Sequence, residues 1–341
     1  MHMARRLVIA PILIVALGIG LGVGAMVYFN VWKTNEIVPD DEVIFVVEPG
    51  ESFQHIAANL ESTGLIKRRR MFHILGLLEG QLASIQAGEY SFAQAATPVS
   101  VLRKLTSGDV VKRQVRLPEG GTFRQFKKVL QSEDKLNFDI ESVSVRNVFE
   151  FLGVTGEDKI FGEGWFFPDT YFFQMGEKAS DVLMVAHQRM VEALDESWKA
   201  RTANGVLSNR YDLLILASLI EKETSRKEDK ALISGVFSRR LAKEMKLQAD
   251  PTVIYGLGEE FDGDLKREHL RTPNDYNTYV NLGLPPTPIS APSSDSLHAA
   301  ANPATGDALF FVGRGDGTTH FSSTLKEHNE AVERFQLGKG D

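Results

Sequence analysis

Apolar positions fall along this chain in three rhythms, and each rhythm predicts a different kind of element. The first is an unbroken run, Leu7 to Phe29, that holds no charged side chain and follows Arg5 and Arg6. A helix rising about 1.5 Å per residue covers roughly 30 Å over that length, enough to cross a bilayer. Gly18, Gly20, Gly22 and Gly24 weaken a helix in water but are tolerated in a membrane span, and Tyr28 and Trp32 stand where interfacial aromatics belong. A cleaved signal peptide has an apolar core of only about 7–15 residues, so the run predicts a single-pass anchor. The positive-inside bias puts residues 1–6 in the cytoplasm, 7–29 in the membrane and the remaining body outside it.

The second rhythm alternates short extended runs with amphipathic helices. Asn35 to Asp41 is polar and contains proline, which predicts a tether over 30–41. Val43 to Val47 reads as a strand stopped by Glu48-Pro49-Gly50. Ser52 is then a helix N-cap, Phe53, Ile56, Ala57 and Leu60 share one face, and Gly64 suits the helix end. A second helix over about 69–78 and a returning strand at Gly88 to Phe92 complete a β-α-α-β unit. Its opening is echoed by Val115-Arg116-Leu117-Pro118-Glu119-Gly120-Gly121-Thr122-Phe123, allowing one inserted residue. The echo predicts a degenerate repeat of the unit, interrupted up to the aromatic run Trp165-Phe166-Phe167-Pro168-Asp169-Thr170-Tyr171-Phe172-Phe173. Most of those aromatics belong in a core; Tyr171 is kept as a cleft residue.

The third rhythm is a helix that is apolar around most of its circumference. Leu213 to Ile220 is followed directly by Glu221-Lys222-Glu223-Thr224. Such a helix is buried, and a carboxyl at its end loses solvent, which raises its pKa. A carboxylic acid that keeps its proton near neutral pH is what general-acid cleavage of a glycosidic bond requires. The competing reading is a solvated, ion-paired helix end, because Arg226, Lys227, Glu228, Asp229 and Lys230 follow. Residues two apart do not share a helix face, so Glu221 and Glu223 are not expected to form an acid/base pair. Beyond them come a helix from about 229 to 241, a polar loop with Gln248 and Asp250, and a Tyr276-Asn277-Thr278-Tyr279 segment. The proline-rich stretch 283–292 is expected to pack on the surface as a wall. A short helix over 296–301, a hairpin and a helix starting near Ser323 close the chain.

Composition narrows the chemistry. The 341 residues carry a formal charge of −7 and no cysteine, so no disulfide or thiolate metal site exists. The basic tetrad Lys67-Arg68-Arg69-Arg70 lacks interleaved aromatics and reads as a solvated helix start, not a nucleic-acid surface. Gly-x-Ser-x-Gly and phosphate-loop motifs are missing, and no Ser-x-x-Lys stands with the Ser-Asp-Asn and Lys-Thr-Gly segments of its catalytic set. The His320 and His328 pair has no carboxylate at ligand spacing, and Asp262-Gly263-Asp264 lacks the later ligands of a calcium loop. No cofactor and no metal are expected.

Several long segments, in order, resemble the endolytic murein transglycosylases (YceG-like proteins). They are Leu216 to Thr224, Leu247 to Gly256, Tyr276 to Tyr279, Gly283 to Pro286, Glu163 to Tyr171 and His320 to Asn329. The resemblance implies an enzyme, a lytic transglycosylase that cuts peptidoglycan strands internally between N-acetylmuramic acid and N-acetylglucosamine and leaves 1,6-anhydro-muramyl ends. It implies a mixed α+β fold: a LysM-like glycan-binding subdomain over 42–110 and a mixed α/β catalytic domain over 111–341. It places the catalytic acid on Glu221. It also implies a place in the bacterial inner membrane with the body in the periplasm, and peptidoglycan synthases as partners, with a role in limiting strand length. Gln248, Asp250, Tyr276, Asn277, Tyr171 and Thr224 are candidate substrate-binding residues, and Asp250 is a candidate second acid/base. Two rival readings stay open: a hydrolytic muramidase that uses a second carboxylate to activate water, and an anchored glycan-binding scaffold without catalysis.

Overall fold

Caps and turn residues in the sequence decide where most elements start and stop, and the structure follows them closely. It is a computed structural model that describes residues 2–37, 41–156, 161–202 and 206–336, with side chains from Leu13 onward. Residues 38–40 of the expected tether lie outside the described residues. The chain divides into two compact units: residues up to Arg113 together with Gln174–Gly176, and Gln114–Phe173 with the chain from Glu177 onward. Helices and short strands mix throughout, so the fold is α+β.

In the first unit, helix α1 (His2–Lys33) leads to strand β1 (Val43–Val47), α2 (Phe53–Ser62), α3 (Arg69–Leu78), β2 (Gly88–Phe92) and α4 (Pro98–Ser107). β1 and β2 pair antiparallel, with Val43 opposite Phe92 and Val47 opposite Gly88. The Ser52 side chain accepts from the His55 N–H and starts α2, which buries Phe53, Ile56, Ala57 and Leu60. These four are the residues that the 3.6-residue period selects. α1 holds a stretch, Leu13–Lys33, long and apolar enough to span a membrane, and its exposed side chains from Leu13 to Met26 fit that role. One expectation fails at its end. Trp32 is not an interfacial anchor: it is buried in the unit's core beside Phe45, Phe72 and Leu105, with Phe29 packed against it. The helix continues past Phe29 because its last turn has a core to enter.

In the second unit, β3 (Arg113–Arg116) pairs with β4 (Thr170–Phe173) in a two-stranded sheet. Between them lie α5 (Phe123–Gln131), capped by Thr122, and the short α6 (Val148–Leu152). The helical body follows: α7 (Ala179–Lys199), α8 (Arg210–Glu223), α9 (Lys227–Ala242), α10 (Asp250–Leu257) and α11 (Ser294–Ala301). A hairpin of β5 (Phe310–Gly313) and β6 (Thr319–Ser322) and helix α12 (Leu325–Phe335) complete it. α8 is the central rod. All eight residues from Leu213 to Ile220 are buried, which accounts for its apolar circumference. The proline-rich stretch is not a surface wall. Ile289, Ser290 and Ala291 are buried, the Ile289 N–H donates to Ser218 Oγ, and Ala291 exchanges backbone hydrogen bonds with Gly120 and Gly121. A segment poor in N–H donors can be buried when its few polar groups find partners, and here α8 and the Gly120–Gly121 turn supply them.

Candidate active site

α8 ends beside a cleft of about 350 Å³ lined by Glu119, Gly120, Glu221, Lys222, Glu223, Thr224, Ser225 and Lys230. The helix stops because Thr224 turns to an extended conformation (φ −152°, ψ 140°). Opposite it, the Pro118-Glu119-Gly120-Gly121 turn comes so close that a Cβ on Gly120 would stand 3.6 Å from Glu221 Cγ. Gly120 has φ +66°, a conformation that suits glycine.

The Glu221 carboxylate is held at one oxygen. Oε2 accepts from the Ser293 N–H at 2.9 Å, Ser293 Oγ at 2.6 Å, Ser296 Oγ at 2.6 Å and Lys230 Nζ at 3.1 Å. Ser293 is the N-cap of α11, so the anion sits at that helix's N-terminus, where the helix dipole favours negative charge. The Lys230 ammonium also donates to Ser293 Oγ at 3.0 Å, which ties α8, α9 and α11 together at one point. Oε1 has no hydrogen-bond partner among the described residues.

This geometry corrects the protonation expected from burial. Loss of solvent does push the Glu221 carboxyl up, and it is the largest single influence. The hydrogen bonds from Ser293 and Ser296 and the charge of Lys230 together outweigh it, and the net direction is below the ordinary carboxyl value. The free site therefore holds Glu221 as a carboxylate.

The neutral carboxyl in the cleft is Glu223. Burial, helped by the negative charge of Asp250 and opposed by Arg240, pushes it up to about 8. Helical spacing separates the two glutamates, but Glu223 is the last helical residue and the chain opens at Thr224, so both line one cleft. Two carboxyls with pKa values driven apart by their surroundings are the usual basis for dividing acid and base roles.

Of the other predicted site residues, the cleft brings in only Thr224, whose Oγ1 also accepts from the Arg226 N–H. Gln248 is exposed at φ +51°, its N–H bonded to the Thr278 carbonyl. Asp250 opens α10 and accepts from the Tyr279 hydroxyl; it reaches the cleft through its charge on Glu223. Tyr276 packs edge-on against Tyr255 and bonds Thr287. Asn277 is fully buried, donating to three loop carbonyls and accepting from the Tyr279 N–H. Tyr171 is a core residue whose hydroxyl donates to the Phe167 carbonyl. Asn277 lies inside the protein because its own loop needs its polar groups as staples, and Tyr171 because β4 turns it into the core.

Sequence reasoning passed over Ser293, Ser296, Lys230 and the Gly120 turn. Ser293-Ser294-Asp295-Ser296 did carry a signal, two hydroxyls at N-cap and N3 spacing. It also passed over Glu163, which is buried, accepts from the Phe123 N–H at 2.7 Å and the Tyr255 hydroxyl at 3.0 Å, and is pushed by burial up to about 7.

Fold and cleft together describe an α+β protein in which two carboxyls with oppositely shifted pKa values line one cleft. The sequence model of the YceG-like family matches residues 45–334, and the chain belongs to that family. The endolytic murein transglycosylase of Bacillus subtilis (strain 168) is 31% identical over 310 residues, covering 86% of this chain and 85% of the relative. That of Streptococcus pneumoniae serotype 2 (strain D39) is 26% identical over 318 residues, covering 84% of this chain and 57% of the relative. Among solved structures, a crystal structure of a YceG-like protein from Listeria monocytogenes aligns with a TM-score of 0.55 at 27% identity. It covers 86% of this chain and 99% of that one.

Proposed function

We propose that this chain is a peptidoglycan-cleaving enzyme, a membrane-anchored endolytic lytic transglycosylase with Glu221 at its reacting centre. The family membership and the relatives' names support the reaction class. The observation that carries the site is the asymmetry of Glu221: four donors fix Oε2, and Oε1 is left free in a side chain that lines the cleft. A carboxylate so positioned needs little reorganisation when charge develops nearby.

In the reaction, a proton passes to the glycosidic oxygen of the muramyl–glucosaminyl bond as that bond breaks. The muramyl C6 hydroxyl oxygen then attacks the anomeric carbon, and its proton returns to a carboxylate. Intramolecular attack supplies its own nucleophile, so no second carboxylate is needed to hold a water. In the first reading Glu221 handles both transfers. Sugar entering the cleft removes further solvent, which strengthens the one influence that raises its pKa. A proton on the free Oε1 leaves Oε2 its acceptor capacity, so the bonds from Ser293 and Ser296 survive protonation.

The raised pKa of Glu223 favours a second assignment, with Glu223 as proton donor and Glu221 as the base that receives the C6 proton. The proton then returns from Glu221 to Glu223 between turnovers, in the direction their pKa values favour. The pH dependence of kcat/KM separates the two. If Glu223 donates, Glu223→Gln abolishes cleavage along with Glu221→Gln. If Glu221 does both, Glu223→Gln keeps the reaction and only its alkaline limb moves.

The β1-α2-α3-β2 segment serves as a LysM-like glycan-binding module, and α1 anchors the body outside the cytoplasmic membrane with its N-terminus inside. Peptidoglycan strands are the substrate, and synthases working beside the enzyme have their strand length limited by it. Reducing-end products would make it a muramidase, and binding without cleavage would make it a scaffold.

A further inference from the structure

α3 has two faces. Phe72, Leu75 and Gly76 are buried in the first unit. On the other side Ile74, Leu77 and Leu78 are 47%, 61% and 69% exposed. At three- and four-residue spacing these three share one stripe, and Arg70 continues it toward the helix start. Single exposed apolar residues are ordinary. A stripe of three that runs into four consecutive cations, Lys67 to Arg70, has the composition of a helix lying in a membrane interface.

The position of this stripe relative to α1 is also defined within the same unit. The Arg68 guanidinium lies over the Tyr28 ring, 5.4 Å from its centroid, and the next turn of α1 is fixed in the core by Trp32. From Leu7 to Val27 is 21 residues, about 31 Å of helix, which matches a bilayer's hydrocarbon. Tyr28 then falls at the outer headgroup level, and Arg68 with it.

We propose that α3 docks on the surface of the membrane that α1 crosses, with Lys67 and Arg70 against anionic lipid headgroups and Ile74, Leu77 and Leu78 entering the interface. The unit then rides flat on the bilayer and does not swing from its anchor. Charge selects the occupant. Among the described residues only Arg69 of the tetrad has a carboxylate partner, Glu61 at 3.6 Å, so most of the positive charge is uncompensated. The proposal rests on the anchor reading made above.

The chain has no cysteine, so Leu77→Cys in the full chain takes a single environment-sensitive fluorophore. The labelled protein is reconstituted into vesicles of neutral lipid with or without phosphatidylglycerol, including a lipid-borne quencher. The expected result is blue-shifted emission, quenched by the lipid quencher and shielded from iodide, in the anionic vesicles. Adding Lys67→Gln and Arg70→Gln, both exposed, lowers the docked fraction; at about five-fold per cation near an anionic surface, the docking constant falls roughly thirty-fold. A label that stays open to iodide while the protein withstands alkaline extraction overturns the docking and leaves the anchor standing. Release by that extraction overturns both. Energy transfer between labelled copies in detergent, without lipid, puts a second copy on this face and also overturns the proposal.

Discussion

Replacing Lys230 by methionine tests the electrostatics of the site without touching the carboxylate itself. Lys230 and Glu221 are 3.1 Å apart and their side chains are each only 6% exposed, so solvent screens the pair little. Removing one partner of a buried ion pair costs about 3–5 kcal/mol. Three donors remain on Glu221 Oε2, which places Lys230→Met at the low end, about 3 kcal/mol. The sign with pH follows from the direction of the shift. Glu221 lies below its ordinary value, so its contribution to stability is present above the unfolded carboxyl value, about 4.3, and is lost as pH falls through the lower folded value. Without Lys230, burial is less opposed and the folded value rises. The deficit of Lys230→Met is therefore largest near neutral pH and shrinks on acidification. Urea unfolding at pH 7.5 and pH 4, read from Trp165 and Trp198 in a Trp32→Phe background, measures it. Adding Glu221→Gln should recover much of the loss at pH 7.5, since no uncompensated charge is left. Equal stability of Lys230→Met and its parent at both pH values, or a deficit that grows in acid, would refute the reasoning.

Three further outcomes follow from the same structure. Glu163 is nearly neutral in the fold, with a value near 7; wild-type stability should fall as pH rises from about 4.3 to 7. Glu163→Gln should remove the Glu163 share of that slope and leave the share of Glu223, whose value is also raised; relative to wild type it should be near neutral at pH 5 and stabilising by about 3 kcal/mol at pH 8 in urea titrations. Gly120→Ala places a side chain at φ +66° against Glu221 and Lys222; it should cost about 1–3 kcal/mol and slow glycan cleavage more than it weakens glycan binding. Trp32→Ala should cost about 3–5 kcal/mol in the first unit, and a soluble body beginning at Asn35 should show the same loss by hydrogen exchange in β1 and β2.

Local order was legible in the sequence wherever one segment decided it. The face of α2, the Ser52 and Thr122 caps and the pairing of β1 with β2 all follow from spacings of a few residues. Glu221 was also legible, because an acidic residue ending an all-apolar helix is a local pattern. Its charge state was not. Desolvation could be inferred from α8 alone, but the donors that outweigh it come from Ser293 and Ser296, more than seventy residues further along, and from Lys230 on the next helix. The same limit explains Trp32, which is buried in a cluster built from five other elements, and Asn277, whose polarity suggested a substrate contact and which instead closes its own loop. The expected separation of Glu221 from Glu223 assumed an endless helix; the helix ends at the motif's second glutamate, and both side chains line one cleft.

The central claim is that bond cleavage at Glu221 uses the muramyl C6 hydroxyl as nucleophile and not water. Digesting purified peptidoglycan in oxygen-18 water with the full chain and with Glu221→Gln, followed by mass spectrometry of the new ends, tests it directly. The account predicts anhydro-muramyl ends free of oxygen-18 from the wild type, and no new ends from Glu221→Gln. Oxygen-18 in the muramyl ends, or cleavage by Glu221→Gln at the wild-type rate, would contradict it.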